Sequence, residues 1–195
     1  MHRTGDYDYH LPPELIAQTP SEVRGASRLL AVGRQGGQAV RDLQFAAIVD
    51  LIPPGDLVVL NTTKVRHARL LGTRPSGAPA EVLLLTPRAD GTWEAMGKPG
   101  SAMRPGKRIR LGPDSEVETV EVFEQGTRAV KFVGLDATAA MAKYGHLPLP
   151  PYITRPDAPA DESRYQTVYA EREGSVAAPT AGLHFTAELL EALKA

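Results

Sequence analysis

The chain has 195 residues, 42 % hydrophobic and 23 % charged, with a net charge of −1. That is an ordinary globular composition with material for one good core or two small ones, and its charge balance excludes a histone-like or arm-type nucleic-acid binder but not a local basic patch. There is no cysteine, which excludes disulfides, cysteine zinc sites and iron–sulfur clusters, and the five histidines show no ligand spacing, so no metal site is expected. No signal-peptide pattern occurs, and no apolar run approaches the ~20 residues of a membrane span, so a cytoplasmic protein without a membrane partner is expected.

At the N-terminal end, Pro12 and Pro13 can open a short helix. Arg24 and Arg28 suit phosphate contacts and plain surface charge equally well. Residues 29–42 read as a hairpin, with strand-like 29–32 and 39–40 and a turn at Gln35-Gly36-Gly37. Residues 45–52 carry a helical apolar spacing that Pro53-Pro54-Gly55 ends. Residues 56–60, Asp-Leu-Val-Val-Leu, read as a buried strand. Its C-terminal end would deliver Asn61, Thr62, Thr63 and Lys64, where ligands collect in open α/β sheets; Asn and Thr also serve simply as turn formers.

From residue 65 the pattern changes. Strand-like pieces at 70–72, 81–86, 92–96, 108–111, 117–123 and 129–133 alternate with Gly and Pro turns, which suggests a small antiparallel β-barrel. Val117, Val120 and Val122 mix with Glu116, Glu118, Glu121 and Glu124, roughly one face in and one out. Two runs lack acids: one carries Lys64, Arg66, Arg69 and Arg74, the other Lys98, Arg104, Lys107, Arg108 and Arg110. They form either a basic strip for an RNA backbone or a solvated face balanced by the later glutamates.

A short helix over 136–144 leads into a proline-stiffened connector over 145–153, where His146 reads as a structural histidine. The most informative stretch is 174–185, G-S-V-A-A-P-T-A-G-L-H-F. Its small residues let the backbone approach something closely. A helix should follow, with Thr186 as N-cap and Leu189, Leu190 and Leu193 on one face. A tight structural turn and a ligand loop are both compatible with this run. Walker A, GxGxxG, HExxH and GxSxG patterns are absent.

Residues 174–185, with Tyr165-Gln166-Thr167-Val168-Tyr169 before them, closely resemble the S-adenosylmethionine:tRNA ribosyltransferase-isomerases of queuosine biosynthesis. The opening Leu-Pro segment with Ser27-Arg28-Leu29-Leu30, the run 61–70 and the connector ending in Arg155-Pro156 resemble the same family. In 61–70, Asn61, Thr63, Val65, Ala68, Arg69 and Leu70 match the family motif. Lys64 stands for Arg, losing the planar fork; Thr62, Arg66 and His67 also depart from it.

The resemblance implies an α/β main domain over 1–64 and 145–195 with an inserted small antiparallel β-barrel over 65–144. Family members continue well beyond this length, so the chain is expected to be a fragment lacking the C-terminal part of the main domain. The implied reaction moves and isomerises the ribosyl part of S-adenosylmethionine onto the 7-aminomethyl-7-deazaguanine base at the tRNA wobble position. Epoxyqueuosine forms, and adenine and methionine leave. S-adenosylmethionine is thus a substrate, and no cofactor is expected. The partner is a tRNA anticodon loop, and the chain is expected to be a monomer.

On this reading His184 is the acid/base candidate, although capping the following helix is an equal alternative. Thr180, Ser175 and the backbone around Gly182, shaped by Pro179, suit ribose hydroxyls or the methionine carboxylate. Tyr165 or Tyr169 would stack on a base. Gln166 and Asn61 would read a base edge. Arg69, Lys64 and Arg155 suit phosphate, with Thr63 beside them. A reading of a different class is a truncated, non-catalytic RNA- or protein-binding remnant.

Overall fold

The computed structural model describes residues 3–34 and 39–194. Its largest element is an antiparallel sheet built from β4 (Arg69–Thr73), β5 (Pro79–Pro87), β6 (Trp93–Lys98), β7 (Arg108–Gly112), β8 (Ser115–Val122), β9 (Arg128–Gly134) and the short β10 (Gly145–His146). The strand order is β10-β4-β5-β6-β9-β8-β7, and a further pairing of Thr73 with Arg110 brings β7 round to β4. The six strand pieces expected between 70 and 133 are all present.

Alternation explains the sheet's inner face. Along β5, Ala80, Val82 and Leu84 are buried while their neighbours are half exposed. Leu70, Ala95, Ile109, Val117, Val130 and Met103 complete this core. Burying one such aliphatic side chain is worth ~1.5–3 kcal/mol, so this sheet holds most of the apolar stabilisation. On β8 the expectation needs correction: Thr119 points inward, whereas Val120 and Val122 are exposed. A register shift between Thr119 and Glu121 breaks the alternation there.

The remaining segments are shorter. β1 (Arg28–Ala31) pairs antiparallel with β2 (Arg41–Gln44), so the second strand of the expected hairpin starts later than 39–40; its expected turn lies outside the described residues. A 3-10 turn, Phe45–Ala47, runs into α1 (Ile48–Leu51). β3 (Thr63–Val65) pairs in parallel with β11 (Arg172–Ser175). The short α3 (Asp161–Arg164) precedes β11. α2 (Ala137–Tyr144) starts where Asp136 accepts from the Ala139 N–H at 2.8 Å. α4 (Ala187–Lys194) starts where Thr186 Oγ1 accepts from the Leu189 N–H at 3.2 Å, as its N-cap position requires. A second, smaller core gathers Val65, Leu147, Tyr165 and Ala178, with Leu149 and Leu183 against it.

One expected element is absent. Residues 56–60 form no strand, and Leu57 and Val59 are 87 % and 84 % exposed. The apolar run is present, but among the described residues no strand lies beside it to pair with, and burial of a strand is a property of its neighbours. The strand-end placement of Asn61 to Lys64 therefore falls away; Thr63 and Lys64 sit within β3 itself. No helix among the described residues is long and apolar enough to cross a membrane.

Candidate active site

A cavity of about 370 Å³ opens between the N-terminal segment, the 149–165 segment and the 3-10 turn Thr180–His184. Four of the expected site residues meet there: Arg155, Tyr165, Thr180 and His184. Arg24, Ser27 and Arg164 join them. Arg24 was legible as a phosphate candidate; Ser27 was legible only as part of a family-like segment, with no role assigned, and Arg164 carried no signal.

His184 is half buried and held on two sides. Its Nδ1 lies 3.1 Å from Ser27 Oγ. Its ring lies 5.2 Å from that of Phe45, which meets Phe185 edge-on at 5.1 Å. Nε2 makes no hydrogen bond to the described residues, which leaves that nitrogen for a proton acceptor or donor role. Capping of α4 belongs to Thr186 and not to His184. Thr180 opens the 3-10 turn, and its side chain is exposed on the cavity wall.

The arginines differ in how they are paired. Arg155 is committed internally: it meets Asp161 through two bonds of 2.7 and 2.8 Å and gives Nε to the Gln18 carbonyl at 2.9 Å. Asp161 is 4 % exposed, and this fork, with the Ala158 N–H, holds its carboxyl below the usual carboxylate range. Arg24 donates to the carbonyls of Leu183 (2.9 Å) and Ser163 (2.6 Å), and Arg164 to that of Ser21 (2.7 Å). Neutral carbonyls leave their charge uncompensated. Burial, and then the nearby Arg164 charge, lowers the Arg24 guanidinium from its ordinary value. Three arginines against one aspartate give the lining a charge of 3 − 1 = +2.

Gly182 is buried in the turn and its N–H is taken by the Pro179 carbonyl at 2.8 Å, so this amide is not free for a ligand. A Cβ there would lie 2.2 Å from Tyr169 Oη and 2.9 Å from Thr167 Cγ2, so glycine is needed for the close approach. Tyr165 lies in the smaller core, where burial pushes its phenol up. Burial also raises the phenol of Tyr169, which faces a separate hollow with Val58, Leu60 and Leu190. The buried Thr167 Oγ1 has no hydrogen-bond partner among the described residues.

The other expected residues do not reach the cavity. Gln166 bonds both backbone groups of Val65. Asn61 Oδ1 accepts from the Thr63 N–H at 3.0 Å, an Asx turn. Ser175 Oγ closes a local turn with Ala177. Lys64 lies 3.7 Å from Glu173, and Arg69 lies 2.8 Å from Glu81. Arg28 pairs with Asp42 at 2.5 Å, away from the cavity lining. Among the described residues no cluster of three or more acids and histidines could hold a metal ion.

The family model described as "Queuosine biosynthesis protein" matches residues 4–195. The chain belongs to this family. It is 47 % identical over 192 residues to the S-adenosylmethionine:tRNA ribosyltransferase-isomerase of Thermosipho africanus, covering 98 % of this chain and 56 % of that protein. It is 46 % identical to the protein of the same name from Thermus thermophilus, covering 96 % and 56 %. A crystal structure of the S-adenosylmethionine tRNA ribosyltransferase from Thermotoga maritima is 34 % identical and covers 97 % of this chain and 53 % of that one, with a TM-score of 0.38. The chain thus spans about half the length of the curated relatives it matches.

Proposed function

We propose that this chain acts in queuosine biosynthesis as a tRNA ribosyltransferase-isomerase. It would move the ribosyl unit of S-adenosylmethionine onto the 7-aminomethyl-7-deazaguanine base at the wobble position and isomerise it to the epoxycyclopentanediol of epoxyqueuosine. Adenine and methionine leave. The observation that carries this reading is the meeting of His184 and Thr180 with uncompensated arginines in one cavity, within a chain that matches the family over 4–195.

The sulfonium acidifies the neighbouring C5′ protons. His184 Nε2, with Nδ1 against Ser27, is placed to take one and to return it to a leaving group. Thr180 supplies a hydroxyl for ribose. Arg24 and Arg164 favour an anion, the methionine carboxylate or an anticodon-loop phosphate. Arg155 shapes the wall through Asp161 instead of binding the ligand.

We take 1–64 and 145–195 as one α/β domain and 65–144 as a small β-barrel inserted in it; the Thr73–Arg110 pairing that joins β7 to β4 supports closure. The working unit is a cytoplasmic monomer. A binding module without catalysis is the second reading, favoured by the internal commitment of Gln166, Asn61 and Arg155.

The test is adenine release. The chain is mixed with S-adenosylmethionine and tRNA bearing the aminomethyl-deazaguanine base, beside a longer relative as control. Release above the no-tRNA blank supports the enzyme. No release with a working control, but retained tRNA binding, selects the binding module.

A further inference from the structure

The two acid-free runs are compensated at five positions, while the side chains of Lys98, Arg104 and Lys107 have no ion pair among the described residues. Lys64, Arg69, Arg108 and Arg110 face glutamates on adjacent strands, and Arg66 stacks over Trp93 at 5.0 Å. Arg74 is different. Its side chain has no ion pair or hydrogen bond among the described residues, and its Nε is buried without a partner.

Arg74 lines a second cavity, of about 240 Å³, with Thr73, Gly77, Arg108, Arg110 and Glu116. The turn from β4 to β5 presents it: the Arg74 N–H bonds the Ala78 carbonyl and the Gly77 N–H bonds the Arg74 carbonyl, both at 2.8 Å. Across the cavity stands β7, joined to β4 at Thr73 and Arg110. Gly72 permits that approach, since a Cβ there would lie 2.5 Å from the Arg110 carbonyl oxygen.

The charge does not cancel. Glu116, the one carboxylate in the lining, is shared by Arg108 (3.3 Å) and Arg110 (3.6 Å). Glu118 holds Arg108 at 2.7 Å and Lys131 at 3.0 Å. Four cations against two acids leave 4 − 2 = +2, with Arg74 unshared. An unpaired guanidinium on a concave positive wall suits an oxyanion, which a planar fork grips through two oxygens. The lining offers no aromatic ring on which a base could stack, so the matching part of a nucleic acid is its backbone.

We propose that this groove at the β4–β5 turn binds a phosphodiester of the RNA backbone, gripped by Arg74 and Arg110, with Arg108 held in position by Glu116 and Glu118. This assignment rests on the tRNA reading above and adds a second contact, on the sheet.

The test is titration of the 195-residue chain with an unmodified tRNA transcript at several salt concentrations. Arg74→Gln and Arg110→Gln are each expected to weaken binding roughly tenfold. Each should reduce the slope of log K against log salt by about one. Arg88→Gln is the control: Arg88 follows the other end of β5, a strand of nine residues and thus ~30 Å long. It should change neither quantity. If Arg74→Gln does not fold, Arg110→Gln decides alone, since that side chain is 69 % exposed. Unchanged affinity and slope in variants of a chain that does bind tRNA would overturn the groove and leave the tRNA reading standing. No binding by the unaltered chain would overturn both.

Discussion

The side-chain amide of Gln166 holds both backbone groups of Val65. Its Oε1 accepts from the Val65 N–H at 2.9 Å, and its Nε2 donates to the Val65 carbonyl at 2.8 Å. Gln166 thus acts as one residue of an added strand beside β3, and Val65 is 2 % exposed. Gln166→Leu should leave two buried backbone groups unpaired and lower stability by about 2–4 kcal/mol. Gln166→Glu keeps the acceptor for the Val65 N–H but sets a carboxylate oxygen against the Val65 carbonyl, and should also be destabilising. Urea midpoints measure both; an unchanged midpoint with weakened tRNA binding would instead favour a base-reading role.

Gly182 and Tyr169 form a steric pair. Gly182→Ala should destabilise the chain by about 1–3 kcal/mol through overpacking against Tyr169 Oη. Tyr169→Phe removes the nearest atom and should recover part of that loss. A double-mutant cycle by thermal melting reads the coupling, and strict additivity would refute it.

Asp161 sets an acid limit. Its folded pKa lies below the ordinary 3.8, first through Arg155 and then, against burial, through Ala158. The stabilisation is fully present above that ordinary value and is lost as pH falls through the lower folded value. Asp161→Asn should cost about 1–3 kcal/mol near neutrality, less than a fully buried pair because Arg155 stays 28 % exposed. It should also flatten the fall of Tm on acidification. A variant that keeps the same acid slope would place the acid limit elsewhere.

If the chain has the proposed activity, with His184 as its acid/base, His184→Gln should lower adenine release by about 10²–10⁴-fold while leaving the melting temperature within a few degrees. Ser27→Ala frees Nδ1 and should reduce release less, roughly tenfold, through poorer ring placement. Full turnover by His184→Gln would remove the acid/base role.

How much was legible follows from the range of the forces. The strands from β4 to β9 and the start of α4 rest on local signals: alternating apolar residues, Gly and Pro turns, and a Thr cap three residues before the N–H that it meets. These determined the sheet-rich middle of the chain and the helix beyond Thr186. The small residues of the 174–185 run were legible as a close backbone approach, which Gly182 makes to Tyr169, and Thr180, Leu183 and His184 of the same run line the cavity.

Partnership was not legible. Residues 56–60 have a strand's composition but no neighbour, and Val120 is turned outward by a register shift on the paired strands. Gln166, Asn61 and Arg155 have the chemistry of ligand contacts, yet each spends it on the protein's own backbone or on Asp161. The same polar groups serve either purpose, and folding decides by which partner comes within about 3 Å. The sequence by itself determined which residues are chemically able and where the strands from β4 to β9 run. Only the tertiary structure decided which charges stay uncompensated, because cross-strand and long-range pairing set that balance, leaving Arg24 and Arg164 at one cavity and Arg74 at the other.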